Sequence, residues 1–145
     1  MYDRILVPTD GSDAMETVIA HAVELAAAHD ATLHSLYVAN TASLSDIPMD
    51  AGWESVTHAL EREGQRAVSV IERAADEAGV AFESEIREGA PAKEIIRYAE
   101  EDDCDVIIMG THGRSGVDRL LLGSVAEKVV RSSPVPVLTV RIPRE

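Results

Sequence analysis

The chain is poor in cysteine: of its 145 residues only Cys104 carries a thiol. No intrachain disulfide is possible, a cysteine-based metal site is not expected, and a reducing compartment is favoured. Long apolar runs are missing too, and none approaches the ~18 residues that a membrane span requires. Residues 1–7 lack a basic segment followed by a long apolar stretch, so they do not read as a secretory leader. The expectation is a cytoplasmic protein with no membrane partner. Positive charge is scarce: 26 acidic residues face 13 basic ones, a formal net charge of −13. Such a surface repels a phosphate backbone, which argues against a nucleic-acid partner. Lysine occurs only at Lys93 and Lys128, a bias that suits a salt-rich cytoplasm, where screening weakens self-repulsion, or an arginine-biased genome. Paired metal-ligand spacing is absent among His21, His29, His34 and His58. They read as surface or partly buried side chains, and no metal site is expected from them.

What is present is an alternation of short β-branched runs with longer helical patterns. At this length a chain forms one domain, residues 1–145, and buries roughly 68–70% of its unfolded surface without disulfide or metal. Residues 2–7 form an apolar strand that stops at Pro8, followed by a turn over residues 9–12. Asp13 and Glu16 stand at capping-box spacing, which predicts a helix start there. Met15, Val18, Ile19, Ala22 and Ala26 recur at helical period. Residues 31–38 form the second strand. Residues 40–52 read as a long, exposed, mobile loop. The stripe Trp53, Val56, Leu60, Ala67, Ile71, Ala74 and Ala78 predicts a long helix ended by Gly79. Residues 80–87 form the third strand. Pro91 fits the first turn of a third helix presenting Ile95, Ile96 and Ala99. Residues 105–109, 124–131 and 135–140 complete the series as strand, helix and strand.

Five strands separated by four helices call for parallel pairing through right-handed crossovers, with helices on both faces. The fold class is therefore α/β, a doubly wound five-stranded parallel sheet. The first and fourth strands are the most uniformly apolar and belong at the centre, giving the order 3-2-1-4-5. The winding reverses between them, and ligands bind at the carboxyl ends of strands around such a reversal. The two segments brought there are residues 8–11 and 110–113.

The second of these carries the informative chemistry. Gly110-Thr111-His112-Gly113 is followed, nine residues on, by Gly123-Ser124. The first glycines let the backbone turn sharply and bring its N–H groups close to a ligand. The second pair opens a helix whose free N–H groups and dipole attract anions. Arg114 and Arg119 supply local positive charge. The same glycines would serve a plain turn equally well, and Ser124 with Glu127 is itself a capping box. The pattern is not a Walker A loop, because no Gly-Lys-Ser/Thr closes it, nor a dinucleotide fingerprint, because the glycine-rich turn after the first strand is missing.

From Gly110 to Gly116, from Leu120 to Val129 and over Pro134-Val135-Pro136-Val137-Leu138, the sequence resembles the universal stress protein family. Ile5-Leu6-Val7-Pro8-Thr9-Asp10-Gly11-Ser12 shares the likeness, which extends from Tyr2 to Arg141. The pattern Gly-x2-Gly-x9-Gly-Ser/Thr is characteristic of the members that bind ATP. The resemblance implies a Rossmann-like fold of the adenine nucleotide alpha hydrolase type. It implies that Pro8, Thr9 and Asp10 meet adenosine and that the backbone of Val38 contacts adenine. Met109, Gly110, His112 and Gly113 would line ribose and phosphates, and Gly123, Ser124 and Val125 would cradle the phosphates. Mg²⁺ or Mn²⁺ could arrive with the triphosphate. The resemblance further implies a homodimer through the last strand, from Val135 to Val140, whose apolar edge otherwise stands open to association.

Each of these residues has a plainer role beside the functional one. Asp10 is a common turn residue. As a phosphoacceptor it lacks the companion acids and the lysine that such chemistry needs. A loop histidine such as His112 more often positions a ligand than acts on it. The function expected is a dimeric, ATP-binding stress-response module with no catalytic residue. The alternatives are a slow ATPase or phosphotransfer enzyme, for which no general base and no arginine-plus-lysine clamp is evident, and a structural dimer that binds nothing small.

Overall fold

The computed structural model describes residues 1–41, 51–111 and 123–142, leaving aside the side chains of Ala51 and Trp53. In chain order the elements are β1 (Arg4–Thr9), α1 (Met15–His29), β2 (Thr32–Ala39), α2 (Ala51–Glu77), β3 (Phe82–Glu88), α3 (Pro91–Glu101), β4 (Val106–Gly110), α4 (Ser124–Ser132) and β5 (Val137–Val140). The five strands form one sheet in the order β3-β2-β1-β4-β5. Every pairing is parallel, with Ile5 opposite both Leu33 and Val106, Leu33 opposite Phe82, and Ile107 opposite Val137. The fold is the expected doubly wound, Rossmann-like one.

Alternation along the strands divides the core in two. Ile5, Val7, Leu33, Val106 and Ile108 pack with Val18, Ala22 and Ile71 of α1 and α2. Leu6, Leu36, Ile107 and Met109 pack with Ile95, Tyr98 and Val129 of α3 and α4. Each such buried aliphatic side chain contributes about 1.5–3 kcal/mol relative to exposure. Among the described residues no helix is long and apolar enough to cross a membrane.

Several local expectations are corrected. β1 does not stop at Pro8. It pairs with β2 through Thr9, whereas its pairing with β4 ends at Leu6. Proline removes a ladder donor and is tolerated where a strand has lost one neighbour. The Asp13–Glu16 box does not form: α1 begins at Met15, with Ala14 before it and no side-chain cap. The Ser124–Glu127 box fails in the same way. Gly123 is the cap residue of α4, and its carbonyl accepts the Glu127 N–H at 2.9 Å. Among the described residues of α2 the buried positions are Gly64, Ala67, Val68, Ile71 and Ala75, so the stripe turns away from Ala78. Gly79 (φ +71°) does close α2: its N–H donates to Asp76 and that of Val80 to Ala75, the paired bonds of a Schellman end. β5 begins at Val137 rather than Val135. His34, read as surface or partly buried, is 1% exposed. The predicted loop over residues 40–52 falls mainly on 42–50, outside the described residues.

Candidate functional site

The carboxyl ends of β1, β2 and β4 open into a crevice of about 250 Å³ where the winding reverses. Its first wall is the turn after β1, held by its own side chains. Thr9 Oγ1 accepts the Gly11 N–H at 3.0 Å, and Asp10 Oδ1 accepts the Ser12 N–H at 2.9 Å. Beyond this turn the Met15 and Glu16 N–H groups donate to the Ser12 and Asp13 carbonyls, each at 3.1 Å, and α1 starts two residues beyond Asp13. Met15, 6% exposed, lies beneath this wall.

The second wall is apolar. Leu36 and Val38, on one face of β2, look across at Pro91 and Ile95 on the first turns of α3. Such a slot receives a flat, weakly polar group by displacing water from hydrocarbon. Met109 and Gly110 form the floor at the end of β4. Gly110 is needed for close packing: a Cβ there would stand 2.6 Å from Ile142 Cδ1 and 3.1 Å from Val18 Cγ2.

The third wall is the start of α4, from Gly123 to Ala126. The first N–H groups of a helix have no acceptor within it, and the dipole places partial positive charge at this end. The Gly123 N–H is already engaged, donating to the Thr111 carbonyl. The Thr111 N–H donates to Val140 at 3.0 Å, so β4, β5 and the head of α4 are joined at one point. Glu127, in the same first turn, accepts from Arg131 Nη2 at 2.6 Å. That exposed pair tempers an acid that would otherwise compete for the helix end. Among the described residues lining the crevice, Asp10 bears the one formal charge.

Of the eleven residues singled out in the sequence, His112 and Gly113 lie outside the described residues, as do Arg114 and Arg119. The other nine, Pro8, Thr9, Asp10, Val38, Met109, Gly110, Gly123, Ser124 and Val125, all line this crevice. Sequence reasoning missed Met15, Leu36, Pro91, Ile95, Ala126 and Ile142. Leu36 was within reach, because it stands two residues before Val38 on the same strand face. Ile142 carried no signal, because its place depends on where the chain runs after β5.

Away from the crevice, further polar groups are buried on the α3 side of the sheet. His34 Nδ1 and the Tyr98 hydroxyl are hydrogen-bonded at 2.9 Å. Burial pushes the His34 pKa below 6.5, while Glu83 and Asp102 pull it back up and Arg4 lowers it further. Burial also raises the Tyr98 hydroxyl and drives the Cys104 thiol up to about 12, so the thiol stays protonated and unreactive.

The domain is a doubly wound α/β sheet with an apolar slot and a helix mouth at its switch point, the place where sheets of this kind bind ligands. The model of the universal stress protein family matches residues 1–141, and the chain belongs to that family. Universal stress protein MJ0531 of Methanocaldococcus jannaschii is 39% identical over 145 residues, covering 100% of this chain and 85% of its own. The solved structure of MJ0577, from the same organism, superposes with a TM-score of 0.89 at 29% identity, covering 100% of this chain and 99% of the other. A further universal stress protein, solved in complex with cAMP, has a TM-score of 0.66 at 27% identity, covering 97% of each chain.

Proposed function

We propose that the crevice binds ATP or a related adenine nucleotide, and that the protein is a nucleotide-dependent stress-response module without a catalytic residue. The observation that carries this reading is the meeting of an apolar slot with a helix N-terminus at one switch point. Adenine suits the slot between Val38 and the Pro91–Ile95 wall, with the Val38 backbone as its polar contact. Ribose falls beside Thr9 and Asp10, and the phosphates against Gly110 and the first turn of α4. His112 and Gly113 would complete the phosphate side. Mg²⁺ or Mn²⁺ would arrive with the triphosphate, held by its oxygens and by waters. The relative solved with cAMP supports an adenine ligand.

The same reading includes a homodimer formed by the β5 edge, where Leu138 is 44% exposed and Val130 on α4 is 45% exposed. A second copy pairing along this edge would cover both. Calorimetric titration with ATP and Mg²⁺ tests the ligand. Saturable binding is expected, and no binding at millimolar ATP rejects it. Leu138→Lys should convert the dimer to monomer by light scattering, without loss of ATP affinity.

A further inference from the structure

We infer that Glu94 is a positioning residue for the base end of the crevice, an inference that rests on the nucleotide reading above. Glu94 sits in the first turn of α3 and is only 9% exposed, although glutamate is rarely buried unless paired. Its Oε2 accepts from Arg97 Nη1 at 3.0 Å, and its Oε1 lies 3.6 Å from Arg87 Nη1. The carboxylate also rests on the backbone of Gly89, whose φ of +138° favours glycine and where a Cβ would come within 3.3 Å of Glu94 Cγ. The Gly89 N–H in turn donates to the Ala39 carbonyl at 3.0 Å, one residue beyond Val38. One carboxylate therefore joins the first turn of α3 to Arg87 of β3, the residue registered opposite Val38 of β2.

No side-chain cap fixes the start of α3. Its cap residue, Ala90, offers no side-chain acceptor, and its first residue is Pro91. Pro91 and Ile95, which flank Glu94 on the same turns, are the residues that face Val38 across the slot. The lower half of α3 is held independently. Tyr98 is bonded to His34 at 2.9 Å, a contact that involves neither Glu94 nor its arginine partners. Removing the carboxylate thus releases the wall of the slot while the helix stays docked. A slot of fixed width distinguishes a purine from a smaller pyrimidine, and a loosened one does not.

The test is competitive titration of the full chain with ATP and with CTP, each with Mg²⁺. The wild type is expected to prefer ATP by about tenfold, and Glu94→Ala to lose most of that ratio while CTP affinity stays within about twofold. Glu94→Gln, which keeps an acceptor for Arg97, should recover part of it and carries the comparison if the alanine variant does not fold. Tyr98→Phe removes a bond lower on the same helix. It should reduce thermal stability and leave the ATP-to-CTP ratio intact. An unchanged ratio in both Glu94 variants, or an equal loss in Tyr98→Phe, overturns the positioning role. A wild type that binds ATP and CTP equally overturns this inference alone. One that binds no ATP defeats the nucleotide reading as well.

Discussion

The two faces of the sheet are built differently. On the α1–α2 face the strands offer Ile5, Val7, Leu33, Val106 and Ile108 to aliphatic partners, and the one buried polar strand residue there is Ser35. On the α3–α4 face the buried set includes His34, Tyr98, Cys104 and Glu94 beside Leu6, Leu36 and Ile107. The crevice draws most of its slot from this second face. On the first face, close packing of aliphatic side chains holds α1 and α2 against the hydrogen-bonded sheet. Hydrogen-bonded groups are placed where the geometry of a helix must be fixed to a fraction of an ångström.

This contrast can be broken most forcefully by truncating matched aliphatics on either side. Ile108→Ala, on the first face, should lose about 2–5 kcal/mol of stability in urea titration, with nucleotide affinity of the folded protein unchanged. Ile95→Ala, on the second, should lose a similar amount and weaken ATP binding as well. Equal effects of the two on affinity would erase the distinction. Gly110→Ala comes next: the new methyl pushes Ile142 towards the crevice, at about 1–3 kcal/mol of strain, and calorimetry should register weaker ATP binding. A smaller effect separates the faces by pH. Because burial lowers the His34 pKa, the unfolded chain takes up a proton that the folded one refuses. Stability from this group is complete above pH 6.5 and falls as the pH drops below it, with a slope of at most about 1.4 kcal/mol per pH unit. Urea midpoints between pH 7 and 5 should fall less steeply in His34→Gln. The slightest change is expected at Ser35, whose buried Oγ has no hydrogen-bond partner. Ser35→Ala should be neutral or stabilising, within about 1 kcal/mol by thermal denaturation.

The strand order and the switch point were legible because the apolar runs of β1 and β4 differ visibly from the charged run of β3, Phe82-Glu83-Ser84-Glu85-Ile86-Arg87-Glu88. Glycine spacing located the third wall of the crevice, and the Thr9-Asp10 turn located the first. Boundaries were less legible. Pro8 looked like a stop, yet whether a missing N–H matters depends on which neighbour the strand still has, a tertiary fact. The two capping boxes failed for a related reason. The Glu16 N–H donates to the Asp13 carbonyl and the Glu127 N–H to the Gly123 carbonyl, while the Glu127 carboxylate turns to Arg131. His34 and Tyr98 gave no periodic signal as a pair, since they come together only when α3 lies on β2. The same holds for Glu94, which a sequence reader places on a solvated face.

The bond from the Gly123 N–H to the Thr111 carbonyl means that the chain returns to where it left. The two ends of the eleven-residue stretch between those positions are thereby fixed to each other. Doubling such a closed length costs only about 0.6 kcal/mol in closure entropy. The frame on either side therefore constrains the length of this stretch only weakly, and any constraint on it comes from what His112 and Gly113 are proposed to hold.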